Sequence, residues 1–183
     1  MTPFAVAGLA AWALLGLVLL PFRGTLVAHG HGWWLARRPV LGGYAPIEVR
    51  LPAATDLTGL YDEVPGDPAL AALLGVWPSV DAVLADPGAA VDLLARLADE
   101  TRTADPALLA SVYPRLAEAL GGLRVAPPRA IRVAPDLAVP ASQAVVIDRP
   151  WLLDRRGDRY PLAGGADPAA VAALLGVPLL SDL

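Results

Sequence analysis

The sequence predicts an α+β fold, with short helices in a central block over about 67–122 and β-hairpins on either side of that block. Three observations carry this prediction. Four aspartate-proline pairs each precede an alanine- or leucine-rich stretch, which is the pattern of a capped helix. Short runs of alternating apolar and polar residues outside the block are typical of strands. Nineteen prolines and seventeen glycines divide the 183-residue chain into short elements.

Residues 1–22 carry no charged side chain, and two interpretations of this segment stay open. In the first it is core: a helix from Pro3 to about Leu15 precedes a strand over 17–20, which pairs with a second strand over 25–29. In the second it is a membrane anchor, because ~20 apolar residues are enough to cross a bilayer. A positive flank would then place the rest of the chain in the cytoplasm. The arginines of that flank are Arg23, Arg37 and Arg38.

Residues 23–183 are predicted to form a single α+β domain. Its first strand runs over 44–51, where Ile47 and Val49 share one face while Glu48 and Arg50 share the other.

The aspartate-proline pairs predict helices in which aspartate is the N-cap and proline lies in the first turn. Ser79 is predicted to cap a further short helix through Ala85, and Pro114 to kink or divide the third of the four. The four predicted helices are 69–74, 88–98, 107–120 and 169–175. Two of them lie in nearly identical octapeptides, ALAALLGV (69–76) and AVAALLGV (170–177). In each, glycine is predicted to end the helix and valine to fold back onto it.

After the helical block, strands are predicted over 131–133 and 144–147. A hairpin is predicted from 151–153 and 160–162, joined by the turn DRRGDR with Gly157 at a positive φ.

Composition excludes several kinds of chemistry. The chain has no cysteine, which excludes disulfides, thiolate catalysis and the usual zinc sites. All fourteen basic residues are arginine, so neither Schiff-base chemistry nor a phosphate-binding lysine is available. The sequence has no glycine-rich nucleotide loop and no serine in a G-x-S-x-G elbow. A net charge of −4 argues against a nucleic-acid partner. We therefore predict a protein that is not an enzyme and holds no cofactor.

Metal binding is not predicted either. His29 and His31 would share one face of a strand, but a site needs a third ligand, and the nearby acids Glu48 and Asp56 lie at no recognisable ligand spacing. Asp62-Glu63 is the closest approach to a carboxylate pair. Adjacent side chains point apart in any regular element, so a solvated loop is the expected setting.

Four residues form the best candidate for a protein contact: Trp33, Trp34, Arg37 and Arg38. Tryptophan and arginine dominate the binding energy of protein interfaces. The alternative is that one tryptophan packs inward while the arginines are solvated.

Several segments, taken in order, resemble the C-terminal region of large actinobacterial proteins that carry a sacsin-type, Hsp90-like ATPase domain. The first three are WWLARRPVLGG (33–43), LTGLYDEV (57–64) and LAALLGVWPSVDAVLADPGAAVDLLARLAD (70–99). Two more follow, AVVIDRPWLLDRRGDRYPLAGG (144–165) and LLGVPLLSDL (174–183). The resemblance covers roughly Gly30 to the C-terminus.

The resemblance implies a non-catalytic C-terminal module of a chaperone-like ATPase, acting in the cytoplasm through a protein partner or an upstream ATPase domain. The asparagine helix and D-x-G-x-G loop of such an ATPase have no counterpart here, so no catalytic residue carries over. The resemblance also favours the core interpretation of residues 1–22. The alternative function is a small membrane-anchored protein with a cytoplasmic α+β domain.

Overall fold

The computed structural model describes residues 37–183, and its helices and strands confirm the α+β prediction. The helices are α1 (Pro68–Leu73), α2 (Val80–Leu84), α3 (Pro87–Ala98), α4 (Pro106–Leu109), α5 (Val112–Ala119) and α6 (Pro168–Leu175). The strands are β1 (Val49–Arg50), β2 (Asp62–Glu63), β3 (Ala130–Ala134), β4 (Leu137–Pro140), β5 (Ala144–Ile147) and β6 (Tyr160–Ala163). The helix, strand and hairpin predicted within residues 1–29 lie outside the described residues, and so does the choice between core and anchor.

The predicted helix caps are confirmed. The aspartate of each aspartate-proline pair accepts a hydrogen bond from a backbone N–H of the first turn, at 2.8–3.1 Å. Ser79 accepts one from the N–H of Ala82 at 3.4 Å and begins α2. These side chains satisfy donors that a helix N-terminus leaves without an intrahelical partner.

The third predicted helix is divided, but not at Pro114. Helix α4 ends at Leu109 and α5 begins at Val112, so the break precedes the proline. Pro114 instead lies in the first turn of α5, where a missing N–H loses no helical hydrogen bond.

The strands form three pairs. β1 pairs with β2 and β5 with β6, both in parallel, and β3 pairs with β4 as an antiparallel hairpin. The strand predicted over 44–51 is reduced to Val49–Arg50. Residues Pro46–Glu48 form a 3₁₀ turn instead, in which the Glu48 carboxylate accepts the N–H of Ala45 at 2.7 Å.

The hairpin predicted from 151–153 and 160–162 is wrong. Residues Pro150–Arg156 form a 3₁₀ helix, and β6 pairs in parallel with β5 rather than with the segment before the turn. Proline fixes φ and has no N–H to donate, so it favours a turn at Pro150 over a strand. The positive φ predicted for Gly157 is confirmed, at 59°.

Two hydrophobic clusters lie in the described part of the chain. The larger one is centred on α3, α5, α6 and the strands β3 and β5, with Leu93, Leu97, Leu116 and Leu175 fully buried. The smaller one holds Leu41, Val49, Val64, Ala71 and Val76, which come from the turns and strands around α1. Among residues 37–183, no helix is long and apolar enough to cross a membrane.

Candidate functional site

Two of the four contact residues predicted from the sequence lie within the described part of the chain. Arg37 and Arg38 are exposed at the start of the described chain, whereas Trp33 and Trp34 lie outside it. The four residues therefore remain a prediction as a group.

The most exposed large apolar side chain among the described residues is elsewhere. Trp151 is 76% exposed and lies in the segment that carries the chain from β5 to β6. We call residues 149–159 the crossover segment, because two parallel strands require a connection that returns to the same end of the sheet. A tryptophan is usually mostly buried, so one that is three-quarters exposed marks a candidate contact surface.

The crossover segment is fixed at both ends by local structure. Before it, the carboxylate of Asp148 accepts the backbone N–H of Ser181 at 3.0 Å, and hydrogen bonding from Ser181 lowers the pKa of Asp148. At its end, Gly157 turns the chain at a φ of 59° and the N–H of Arg159 donates to the carbonyl of Arg156 at 3.2 Å. Trp151 therefore lies on a short connection whose two ends are held by hydrogen bonds, and in this sense we call the crossover segment braced.

Charge around Trp151 is mixed, with arginine in excess. Arg149, Arg155 and Arg156 are exposed and Arg159 is half-buried, while Asp154 and Asp158 are exposed. Exposed tryptophan and arginine together are the residue types that carry most energy at protein interfaces. The crossover segment therefore exposes the residue types that are common in protein-contact surfaces.

The sequence predicted Trp151 in a hairpin strand, so its exposure was not expected. Pro150, directly before it, could have indicated that no strand forms here. An Asp-Arg-Pro sequence directly after a buried apolar strand predicts that the strand ends there, and that the next residues leave the sheet.

A cavity of about 340 Å³ lies between α4, α5, β3 and β6. Its lining is mainly apolar and includes four prolines, Pro106, Pro114, Pro135 and Pro161. Its lining includes the polar side chains of Tyr113 and Arg132, and both form hydrogen bonds within the protein.

The Tyr113 hydroxyl donates to the carbonyl of Arg132 at 2.9 Å and accepts the N–H of the same residue at 2.9 Å. Burial raises the pKa of Tyr113, and its hydroxyl is occupied on both the donor and the acceptor side by the backbone of Arg132. The Arg132 guanidinium is fully buried and donates to the carbonyl oxygens of Leu97, Asp99 and Pro135. These contacts join the end of α3 to β3, which is a structural role.

A second cluster of polar side chains lies where α3 meets the turn before β2. Tyr61 donates to the Asp92 carboxylate at 3.3 Å, and Arg96 donates to the same carboxylate at 2.6 Å while stacking 4.1 Å from the tyrosine ring centre. Arg96 and Arg102 both donate to the carbonyl of Leu60. Burial raises the pKa of Tyr61, so this phenol is also protonated at neutral pH. The side chains of Tyr61, Asp92, Arg96 and Arg102 all contribute to holding the turn before β2 against α3.

Alternation places Arg50 on the face opposite Val49, and both residues are buried. Arg50 is buried because β1 is bordered by β2 on one side and by a bridge to Trp77 on the other. Its guanidinium donates to the Glu63 carboxylate at 3.0 Å. Asp62 and Glu63 form β2 rather than the predicted loop, although both side chains are exposed as expected.

Metal ligation is not visible among the described residues: no group of three or more acidic or histidine side chains in 37–183 could hold an ion. His29 and His31 lie outside that range.

Comparison of the chain with protein-family models, curated proteins and solved structures gives no match. The crossover segment is therefore the candidate functional site of the described chain.

Proposed function

We propose that this chain is a non-catalytic protein-contact module of a chaperone-like ATPase system of the sacsin/Hsp90 type, working in the cytoplasm. The observation that supports this proposal is Trp151, which is three-quarters exposed on the braced crossover segment. The order of the resembling segments supports the choice of system, and the crossover segment lies within one of them, 144–165.

The buried polar side chains of the described residues are engaged in contacts within the fold. The two buried tyrosines are held protonated, and the buried arginines donate to backbone carbonyls or to Glu63. The exposed surface instead offers an aromatic anchor with arginines beside it, which suits a partner that presents an apolar pocket edged by acidic side chains.

The proposal requires an Hsp90-like ATPase domain encoded upstream, in the same or the adjacent reading frame, and a genome without one overturns it. The test is binding of the full chain to that domain, measured by titration calorimetry. We expect Trp151→Ala to weaken the affinity at least tenfold, which corresponds to about 1.4 kcal/mol. Arg155→Ala should weaken it less and reduce its dependence on salt. Tyr44→Ala is the matched control, since it removes an exposed aromatic side chain outside the crossover segment.

Near-ultraviolet circular dichroism checks that each variant is folded. The proposal is overturned if the ATPase domain binds the wild type and Trp151→Ala equally well. It is also overturned if the chain alone turns over ATP, or if it sediments with membranes and binds no ATPase domain.

A further inference from the structure

The cavity between α4, α5, β3 and β6, which we call the proline-lined cavity, is open to solvent. Four of its lining residues are exposed and mark its mouth: Pro106, Ala110, Pro135 and Ala163. Its volume of about 340 Å³ is at the low end of the ~300–1,000 Å³ that binding sites for small molecules occupy. The cavity is therefore large enough for one large side chain.

The lining favours an aromatic side chain. The hydroxyl of Tyr113 and the guanidinium of Arg132 form hydrogen bonds within the protein, so the wall offers mainly apolar contacts. Its four prolines add apolar rings. Proline-rich segments are recognised by packing against aromatic side chains, and the same contact forms when the prolines belong to the groove.

Two carboxylates lie at one edge of the proline-lined cavity. Asp105 directly precedes the lining residue Pro106. Asp136, which is exposed, directly follows the lining residue Pro135. The N–H of Ala104 donates to the carbonyl of Pro135 at 2.9 Å, which holds the two aspartates on the same side of the cavity. This edge therefore attracts positive charge and offers acceptors to an N–H group.

The crossover segment carries the complementary features. Trp151 supplies an aromatic side chain that is 76% exposed, and its indole N–H requires an acceptor when the ring is buried. Exposed arginines of the same segment supply positive charge: Arg149, Arg155 and Arg156. The two surfaces therefore match in size, in apolar character and in charge.

Trp151 and the proline-lined cavity lie on opposite sides of β5. On one edge of β5, Val146 bridges to Leu179, and the crossover segment contacts the turn Leu180–Asp182 that follows. On the other edge lies β6, and the cavity lies beyond it, between β6 and β3. A copy therefore does not fill its own cavity with Trp151, and the two surfaces meet only between copies.

We propose that copies of this chain associate head to tail, with Trp151 of one copy inserted into the proline-lined cavity of the next. The arginines of the crossover segment then face Asp105 and Asp136, which sets the orientation of the two copies. Because the two surfaces differ, the contact is heterologous and builds a filament or a ring rather than a two-fold dimer. This inference does not depend on the proposed function, although the association occupies Trp151 and therefore competes with the ATPase domain.

Sedimentation velocity of the full chain, without the ATPase domain, tests the association. We expect the mean mass of the wild type to rise with concentration beyond that of a dimer. Trp151→Ala removes the anchor and should weaken the association at least tenfold. Ala163→Phe fills the cavity from β6 and should have the same effect. Ala110→Phe, which fills it from α4, replaces Ala163→Phe if near-ultraviolet circular dichroism shows that variant to be unfolded.

Two matched controls should associate as the wild type does. Tyr44→Ala removes an exposed aromatic side chain outside the crossover segment. Ala95→Phe adds an aromatic side chain at an exposed residue of α3 that does not line the cavity.

A mixture of two variants gives the most specific result. Trp151→Ala keeps its cavity and Ala163→Phe keeps its tryptophan, so each should be monomeric alone. Together they should form a 1:1 dimer that grows no further, because the complementary surface at each end has been removed. Association through any other surface does not give this pattern.

Four results would overturn the proposal. The first is a wild type that stays monomeric at about 1 mM, a concentration at which even weak complexes form. The second is a Trp151→Ala variant that associates as strongly as the wild type, which would place the contact elsewhere. The third is a wild-type mass that stops at the dimer, and the fourth is a mixture that stays monomeric. Since the ATPase domain is absent throughout, these results leave the proposed function to its own binding test.

Discussion

Replacement of Arg132 is the sharpest test of how this fold is held together. Its guanidinium is fully buried and donates to three backbone carbonyls, those of Leu97, Asp99 and Pro135. Leu97 and Asp99 lie at the C-terminal end of α3, where unpaired carbonyls and the helix dipole favour a cation. Arg132→Met keeps the apolar stem in place and removes only the charged donors.

The expected loss follows from these contacts. Hydrogen bonds to a charged group contribute roughly 1.5–3 kcal/mol each, so three of them set a gross loss of about 4.5–9 kcal/mol. Removing the guanidinium also removes its desolvation penalty, which is several kcal/mol for a buried ion. We therefore expect a net destabilisation of about 3 kcal/mol, at the upper end of ordinary point-mutant effects.

Urea unfolding followed by circular dichroism measures this change. With a slope of about 2 kcal/mol per molar urea, the midpoint should fall by about 1.5 M. Arg124→Met is the control, since Arg124 is exposed and its replacement should stay within about 0.5 kcal/mol. A midpoint for Arg132→Met within 0.3 M of the wild type would show that the three carbonyls are satisfied without the guanidinium, and the reasoning would be wrong.

Two further predictions concern single turns. Gly59 has a φ of 83°, and a Cβ there would lie 2.6 Å from the carbonyl oxygen of Thr103, so Gly59→Ala should lower stability by more than about 1 kcal/mol in the same urea assay. The hydrogen bonds from Ser181 lower the pKa of Asp148 from 3.8. Its stabilising effect is therefore complete only above about pH 5 and is lost as the pH falls through the lowered value. Asp148→Asn should accordingly reduce the difference in thermal midpoint between pH 6 and pH 3, and an unchanged difference would contradict the assignment.

The helices could be predicted from the sequence because their signals are local. Asp105 followed by proline fixes a helix start within three residues, and the capping hydrogen bonds to Ala107 and Leu108 form as expected. The same holds for Gly176, whose left-handed conformation ends α6 at the predicted place.

Strand pairing and the candidate site could not be predicted in the same way. β6 pairs with β5 in parallel, with Tyr160 opposite Ala144, and no local pattern near either strand specifies that direction. Alternation separates Arg50 from Val49 but does not show that both are buried, because burial of Arg50 depends on the neighbours that border β1 on both sides. The exposure of Trp151 depends on where the crossover segment lies, so the residue type alone did not reveal it.

We call β1, β2 and α1 the first unit, and β5, β6 and α6 the second unit. The residues that pair across the two strands are Arg50 and Glu63 in the first unit and Val146 and Leu162 in the second. The Glu63 side chain is exposed in the first unit, whereas Val146 and Leu162 are both buried in the second, so the first unit buries less apolar surface at this position. It also has the smaller hydrophobic cluster.

These differences predict that the first unit opens before the second. Local opening requires the least free energy where few apolar contacts are broken, and amide exchange reports it residue by residue. We expect the amide of Val64, which donates to the carbonyl of Arg50, to exchange at least tenfold faster than that of Val146, which donates to Pro178. Equal protection of the two amides would show that the two units unfold together, and the different packing of α1 and α6 would then have no consequence for local stability.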